Sequence, residues 1–274
     1  MAAKINGLPF EHTMFYGPAG TGKTTLANII ANELRTDIIQ RTGQEFEKNE
    51  VMETINRLGY MDVLFIDEVH STPAKTLEIL YGPLQIINNM KVNNDSSDYF
   101  SFEGNILRPF TFIGATTSAG QLTKPLRDRI VLAYQLGLYS ARSLVEILSQ
   151  YGCNAEAGRV IAQRARGVPR IALNYLLRIR NEYFGDKIPP EKCLQVFKRL
   201  GIDENGFERT DIEILKYLRD NKTASADELT RSLNLDKADY ANMYEAWLLN
   251  QRMLKITSKG RTLTDKGLAY LEKK

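Results

Sequence analysis

The stretch YGPAGTGKTTLANII, Tyr16 to Ile30, decides the fold of this chain. It follows a short apolar run and opens a helical pattern, and within it Gly17 to Thr24 fits the spacing G-x-x-x-x-G-K-[ST] of a phosphate-binding loop. Glycines let backbone N–H groups turn inward around an anion, and the positive end of the following helix adds to the attraction. The alternative is a Gly-rich turn without a ligand, which the strand-loop-helix context disfavours.

The residue types in this loop predict what each position does. Lys23 reaches the β- and γ-phosphates of a nucleotide, and Thr24 offers a hydroxyl ligand to Mg²⁺. The predicted nucleotide contacts in the loop are Gly17, Gly20, Thr21, Gly22, Lys23, Thr24 and Thr25.

Two adjacent acids end the next apolar strand, DVLFIDE, Asp62 to Glu68. Buried carboxylates are costly unless they have a function, and here Asp67 is predicted to hold the Mg²⁺ shell while Glu68 orients and deprotonates water. Such a pair is also common in surface loops, so it indicates a nucleotide site only in combination with the phosphate loop. Together the two motifs predict that water cleaves the triphosphate of ATP or GTP. His70 is interpreted as a hydrogen-bonding bystander and not as a catalyst; no partner carboxylate can be assigned from the sequence, and its role stays open.

Composition limits the classes of protein to which the chain can belong. With 274 residues and 43% apolar content it favours two domains, or three small ones. The net charge of +3 is too small to announce a nucleic-acid partner without a local basic patch. Cys153 and Cys193 are too few for a disulfide framework or a zinc site, which predicts a reducing compartment, the cytoplasm by default. No apolar run is long enough for a membrane span.

The organisation changes along the chain. From residue 13 to about 137, short apolar runs alternate with helical patterns, which is typical of a parallel α/β sheet. Residues 140–200 contain four helical segments and no strands, and a charged turn-rich stretch follows at 201–209. We therefore predict an α/β P-loop domain over 1–137, a helical lid over 138–203 and a winged helix over 204–274.

Four blocks of sequence, in order, are similar to one family. These are GPAGTGKTTLANIIANEL, DVLFIDEVH followed by EILYGPLQ, FTFIGATTSAGQLTKPLRDR, and RGVPRIALNYLLRIRNEY. They resemble the RuvB family of AAA+ motors, which drive branch migration of Holliday junctions. The similarity runs from about residue 10 to the C-terminus, and P-loop proteins in general share only the first two blocks.

The resemblance implies three further site residues. Thr117 matches the polar sensor on the strand beside the acid pair, and Arg129 matches the finger that reaches the γ-phosphate of a neighbouring subunit. Arg170 matches the second sensor, which contacts phosphate from the lid. These roles suit phosphoryl transfer, which needs charge stabilisation. From the residues alone, surface arginines of a short helix and a solvated helix face are the simpler interpretations.

The resemblance also implies cofactors and partners: ATP with Mg²⁺, a homo-hexameric ring, and duplex or four-way-junction DNA. In the family, a hairpin corresponding to residues 88–110 docks RuvA, so a RuvA-like partner is expected. The rival from another class is a nucleotide-switch loader or initiator that assembles on DNA with little turnover. Fold alone does not separate the two.

The C-terminal unit holds the local basic patch. Gln251 to Lys274 contains seven basic and two acidic residues, a net +5. The predicted hairpin tip is Ser258-Lys259-Gly260-Arg261, and Lys259 and Arg261 are the predicted DNA contacts, mostly to phosphate. The second helix, Asp236 to Asn250, carries acids that phosphates repel and aromatics that pack inside. A winged helix that contacts only protein is the alternative.

Three features depart from the family pattern. About a dozen residues precede the first strand, where relatives carry a longer arm that closes over adenine, so this is a natural short form or the adenine pocket is completed differently. Residues 88–110 fit a hairpin with a polar tip at Asn93 to Asp98, whose Phe100 and Phe102 share a face that docks a partner or covers the core. LRDRI lacks the Phe-Gly that usually follows.

Overall fold

The computed structural model describes residues 8–183, 185 and 187–273. The chain divides into two compact units, one ending at Gly137 and the other beginning at Leu138. Among the helices in this described part, none is long and apolar enough to cross a membrane.

The first unit is built on a parallel sheet. The strands of this unit are β1 Thr13–Tyr16, β2 Ile38–Thr42, β3 Val63–Asp67, β4 Phe100–Phe102, β5 Asn105–Leu107, β6 Thr111–Thr116 and β7 Leu132–Gln135. The sheet has the order β2-β3-β6-β1-β7, with every neighbouring pair parallel. The predicted α/β sheet is therefore confirmed, and its apolar runs are buried because helices cover it.

Helices connect the strands. They are α1 Lys23–Leu34, α2 Lys48–Asn56, α3 Ala74–Val92 and α4 Lys124–Arg127. Ala27 and Ala31 of α1 are buried with the sheet residues Phe15 and Phe65. Since parallel strands all point the same way, the ends of β1, β3 and β6 lie along one edge of the sheet. The phosphate loop, the acid pair and the sensor follow these three strands.

The hairpin predicted at residues 88–110 forms, but its tip lies elsewhere. Helix α3 continues to Val92, and strands β4 and β5 pair so that the turn is at Glu103-Gly104, which corrects the predicted tip at Asn93 to Asp98. The chain stays helical up to Val92 because Met90 is buried in the core of the first unit. Phe100 and Phe102 also pack on this core, so of the two interpretations the structure supports core coverage.

The outer side of the same hairpin exposes two apolar side chains. Ile106 is 76% exposed and Tyr99 is 64% exposed, whereas Phe100 is 7% exposed. Phe102 lies over Gly82, where an added Cβ would approach its ring to 2.2 Å, so the hairpin is closely fitted to α3. The hairpin thus presents a second apolar side that the described core does not use.

His12 is a buried histidine at the start of β1. Its Nδ1 accepts a hydrogen bond from the Phe112 backbone N–H at 3.1 Å, so Nε2 carries the proton. Burial, followed by the charge of Lys91, lowers the pKa of His12 to about 3. Burial likewise lowers the pKa of Lys91 to about 8, and its Nζ donates to the Phe10 carbonyl.

This histidine makes the first unit sensitive to acid. The folded pKa of about 3 lies below the unfolded value of 6.5, so its contribution to stability is complete above pH 6.5 and is lost as pH falls towards 3. We expect a loss of about 2 kcal/mol in the free energy of unfolding between pH 7.5 and pH 5. Urea unfolding of the first unit, monitored through hydrogen exchange of peptides from β1 and β6, measures this loss of stability.

The variant His12→Asn keeps an acceptor for the Phe112 N–H but cannot be protonated. Its stability should change much less over the same pH range. His70→Asn, which removes the only other histidine, is the matched control and should retain the acid sensitivity. Equal pH dependence in the wild type and His12→Asn would contradict this account.

The second unit begins with helices, as predicted. They are α5 Ala141–Gln150, α6 Ala155–Arg164, α7 Pro169–Glu182 and α8 Pro190–Leu200. Proline occupies the first position of both α7 and α8, where its missing N–H costs nothing, and α8 ends at Gly201 in the left-handed conformation. Cys153 and Cys193 are buried in the core of these helices, and in the described residues both are free thiols.

A winged helix follows in the same unit. Its elements are α9 Arg209–Asn221, α10 Ala226–Ser232, α11 Lys237–Asp239, α12 Ala246–Asn250, β8 Leu254–Thr257, β9 Gly260–Leu263 and α13 Asp265–Glu272. A π-helical turn, Tyr240–Glu245, joins α11 to α12. The hairpin turn is Ser258-Lys259, and Gly260 and Arg261 lie in β9, which corrects the predicted four-residue tip. Tyr240 is buried, as predicted for an aromatic residue of this helix.

Candidate active site

The phosphate loop follows β1 and closes against the rest of the sheet. The Gly17 N–H donates to the Thr116 carbonyl, and a Cβ at Gly17 would lie 2.1 Å from the Leu136 carbonyl oxygen. Gly22, with φ of 98°, caps α1 from the left-handed region. Glycine is required at both positions, the first for space and the second for conformation.

The ammonium of Lys23 lies inside this loop. Its Nζ donates to the carbonyl oxygens of Gly17 at 2.9 Å and Pro18 at 3.0 Å, and the Lys23 residue is only 6% exposed. Thr21 is buried, and its hydroxyl donates to Pro18 O at 2.8 Å. A cation held at the N-terminus of α1, with the helix dipole behind it, makes this loop attractive to an anion.

Thr24 and Asp67 meet at the start of α1 and the end of β3. The Thr24 hydroxyl donates to Asp67 Oδ2 at 3.0 Å. A hydroxyl and a carboxylate are hard oxygen donors of the kind that Mg²⁺ takes alongside phosphate oxygens. The two residues therefore fit the predicted ion in donor type and in proximity. Thr25, the next predicted contact, is exposed on α1.

Glu68 is held in an unusual backbone conformation. Its φ of 47° is left-handed, which costs a non-glycine residue roughly 1–3 kcal/mol. Bonds on both sides maintain it, because the Glu68 N–H donates to Asp67 Oδ1 and the Glu68 carbonyl accepts from the Ser71 N–H and hydroxyl. Such strain concentrates at functional sites.

The Glu68 carboxylate contacts the predicted sensor directly. Both the backbone N–H and the hydroxyl of Thr117 donate to Glu68 Oε2, at 3.1 and 3.0 Å. The structure thus joins the acid after β3 to the residue after β6. This contact follows from strand order, because β3 and β6 are neighbours in the sheet.

His70 completes the group, and the sequence interpretation missed its partner. Its Nδ1 lies 3.2 Å from Glu68 Oε2 and 2.9 Å from Thr116 Oγ1. The 3₁₀ turn Val69–Ser71 brings the ring back towards the preceding acid. The signal was present, since His70 stands two residues after Glu68, but the turn that bends it back is not visible in the sequence pattern.

Arg129 lies apart from this group, against α3 and α4. Its Nε donates to the Tyr81 carbonyl at 2.7 Å, one Nη donates to the Pro125 carbonyl at 2.8 Å, and the guanidinium stacks on the Tyr81 ring at 5.1 Å. Asn88 holds the Arg129 carbonyl from α3. Arg127, by contrast, is exposed. The side chain of Arg129 is thus positioned by its own subunit.

Arg170 is an exposed residue in the first turn of α7, in the second unit. Four residues earlier, Arg166 is 6% exposed, and its guanidinium donates to Asp211 Oδ2 at 2.5 Å and to the Gly206 carbonyl at 3.1 Å. The arginines from Arg166 to Arg180 could be read from the sequence as one solvated helix face, but Arg166 is buried and does not belong to such a face.

The two predicted DNA contacts differ in their surroundings. Lys259 is exposed in the hairpin turn. Arg261 donates through Nε and Nη2 to the two oxygens of Glu245, at 2.5 and 3.2 Å, and these bonds raise the pKa of Arg261. The Glu245 partner was not foreseen, because Glu245 lies on the helix and Arg261 on the hairpin. The guanidinium of Arg261 therefore binds a carboxylate of its own winged helix.

Comparisons with known proteins identify the family of this chain. Residues 1–136 match the family model described as the Holliday junction DNA helicase RuvB P-loop domain, and residues 204–272 match the RuvB C-terminal winged helix domain. The Holliday junction branch migration complex subunit RuvB of Mycoplasma genitalium is 33% identical, over 98% of this chain and 90% of that protein. Its counterpart in Lacticaseibacillus casei is 35% identical, over 98% and 83%.

A solved structure shows the same architecture. Thermotoga maritima RuvB, described as a Holliday junction branch migration motor, has a TM-score of 0.83 at 32% identity and covers 99% of this chain and 90% of its own. Because sequence and structure agree over nearly the whole chain at 32% to 35% identity, the chain belongs to the RuvB family.

Proposed function

We propose that this chain is an ATP-hydrolysing subunit of a hexameric ring that moves duplex DNA and drives branch migration of four-way junctions. One observation carries the proposal: the loop lysine, the Thr24–Asp67 pair and the Glu68–Thr117 pair converge on one sheet edge. This convergence occurs in a chain whose family matches cover both the P-loop domain and the winged helix.

The loop binds the triphosphate. Backbone N–H groups from Gly20 to Thr25 and the Lys23 ammonium surround the β- and γ-phosphates, and the α1 dipole adds to their attraction. Thr24 and Asp67 would hold Mg²⁺. Once bound, the ion would supply positive charge that neutralises the phosphates.

Glu68 acts on the attacking water. The water oxygen forms a bond to the γ-phosphorus as the bond from that phosphorus to the ADP oxygen breaks, and Glu68 orients the water and receives its proton. Thr117 holds the carboxylate through Oε2, which leaves Oε1 for the water. The products are ADP and inorganic phosphate.

Two arginines supply charge at the transition state. Arg129 reaches the γ-phosphate bound by the next subunit, and Arg170 contacts phosphate from the lid, roles that rest on the family resemblance. A finger supplied in trans makes the interface head-to-tail, which closes as a ring. We place the domain boundaries of this motor at 1–137, 138–203 and 204–274.

The winged helix grips DNA through phosphates. The hairpin turn and its flank carry exposed Lys255 and Lys259, within the stretch of net charge +5. The long helix that includes α11 and α12 has exposed Asp236 and Asp239, whose charge opposes entry into a groove. Backbone contacts of this kind carry little sequence preference, as suits a motor that moves along any sequence.

The test measures ATP turnover without DNA, with linear duplex and with a synthetic four-way junction, and strand exchange of that junction by gel. We expect stimulated turnover and ATP-dependent conversion of the junction, with affinity for duplex falling steeply as salt rises. Lys23→Ala, which removes the ammonium from the phosphate loop, is the control that should not hydrolyse ATP. Tight nucleotide-dependent binding to DNA without turnover would instead identify a loader or initiator.

The exposed hairpin side is the proposed dock for a RuvA-like partner. Its apolar Ile106 and Tyr99 face outward while Phe100 and Phe102 support them from the core. In the same assay, Ile106→Asp should lose stimulation by an added RuvA-like junction-binding protein and keep its own ATP turnover. If Ile106→Asp responds to the partner as the wild type does, the docking proposal is wrong.

A further inference from the structure

The geometry points to His70 as a positioning residue for the catalytic carboxylate: its Nδ1–H holds Glu68 Oε2 so that Oε1 faces the attacking water. This inference rests on the proposed hydrolysis at the same site. It adds a third donor to the carboxylate, from a residue that the sequence interpretation treated as a bystander.

The contact distances determine which nitrogen of His70 carries the proton. A carboxylate oxygen only accepts hydrogen bonds, and His70 Nδ1 lies 3.2 Å from Glu68 Oε2. A bare Nδ1 lone pair would repel that oxygen, so Nδ1 must carry a hydrogen. The hydrogen is shared with Thr116 Oγ1 at 2.9 Å, an oxygen that also accepts from the Ser118 N–H.

Two donors and the inferred Nδ1–H therefore lie beside one oxygen of the proposed catalytic acid. The Thr117 N–H and hydroxyl donate to Glu68 Oε2, and His70 Nδ1 lies 3.2 Å from the same oxygen. Among the side chains of the described residues, none donates a hydrogen bond to Glu68 Oε1. A carboxylate held by one oxygen has its rotation restricted, and the other oxygen is left to bind and deprotonate water.

The backbone conformation explains how a histidine at position 70 reaches the Glu68 carboxylate. Glu68 enters the left-handed region, and the 3₁₀ turn Val69–Ser71 then reverses the chain, so that residue 70 faces the strand ends again. His70 thereby links the end of β3 to Thr116 at the end of β6. Thr117 alone leaves the carboxylate anchored from one side only.

Replacing His70 by each of two amide residues distinguishes a positioning role from a packing role. The Asn amide nitrogen occupies nearly the place of His Nδ1, whereas the Gln amide reaches the place of Nε2. His70→Asn should therefore keep the donor to Glu68, and His70→Gln should lose it. His70→Ala removes both the donor and the ring.

The experiment measures kcat and KM for ATP in the four proteins with junction DNA present, and binding of a fluorescent ATP analogue by titration. We expect kcat to fall roughly ten- to a hundredfold in His70→Ala and His70→Gln, to stay within about threefold of wild type in His70→Asn, and KM and nucleotide binding to stay unchanged.

Each other outcome overturns the inference. Unchanged kcat in His70→Ala would mean that the imidazole of His70 has no role in hydrolysis, and raised kcat would mean that it holds Glu68 away from water. An equal loss in the Asn and Gln variants, or weaker nucleotide binding, would make His70 a packing residue. Wild-type protein that hydrolyses nothing would instead refute the proposed function, which the same assay distinguishes.

Discussion

Glu68→Gln lowers the steady-state rate of ATP hydrolysis by roughly a hundredfold to ten-thousandfold, because the amide cannot accept the proton of the attacking water. The amide keeps the shape of the carboxylate and an oxygen to accept from Thr117. ATP binding and ring assembly should therefore persist. Turnover of ATP by the purified variant, with nucleotide affinity measured in parallel, tests this expectation.

Mixing two inactive variants sharpens the test. Arg129→Ala removes the proposed finger, which we expect to lower turnover roughly a thousandfold or more, and its loss should leave Glu68 intact. If the finger acts in trans, a ring mixed from Arg129→Ala and Glu68→Gln subunits regains activity. With random mixing, roughly one site in four pairs an intact acid with an intact arginine.

Arg127→Ala is the matched control for the finger. It stands two residues from Arg129 but is exposed, and its loss should cost little turnover. A mixture of the two inactive variants that stays inactive would contradict the trans assignment. Wild-type rates in Glu68→Gln would contradict its assignment as the base.

Arg166→Met destabilises the second unit by about 3–5 kcal/mol, because it leaves the carboxylate of Asp211 buried without its cation. Asp211 is fully buried, and burial raises the pKa of its carboxyl to about 6 even beside Arg166. The guanidinium also donates to the Gly206 carbonyl and lies over the Trp247 ring at 5.8 Å.

The double variant tests the mechanism of this loss. Arg166→Met with Asp211→Leu removes both charges and should recover much of the stability, since an apolar pair avoids the cost of desolvation. Any shortfall belongs to the other acceptors of Arg166 and to the Glu208 N–H, which loses its acceptor on Asp211 at the start of α9. The coupling between the two substitutions then measures the ion pair itself.

Urea unfolding monitored by the fluorescence of Trp247, the only tryptophan, reports on the second unit. Arg178→Met is the control, because Arg178 is an exposed arginine on α7, and it should change stability by less than about 0.5 kcal/mol. If Arg166→Met is as stable as this control, the buried ion pair does not support the second unit.

Elements with a strong local pattern were predictable. Strands such as Val63–Asp67 are short apolar runs, and Lys23–Leu34 has the helical pattern and the glycine before it, so both were placed from sequence. The hairpin tip was misplaced because residues 93–98 look like a turn, while burial of Met90 and pairing of Phe100 with Leu107 move the turn to Glu103-Gly104. Long-range packing overrode local preference there.

The linear order of residues was enough to identify the phosphate loop, the acid pair and the family, because each is a run of neighbours whose chemistry depends on spacing along the chain. Contacts between distant segments came from the folded chain: His70 with Thr116, Arg166 with Asp211, and Arg261 with Glu245. A single sequence records which groups exist, whereas strand order and burial select which charged or polar group each one meets.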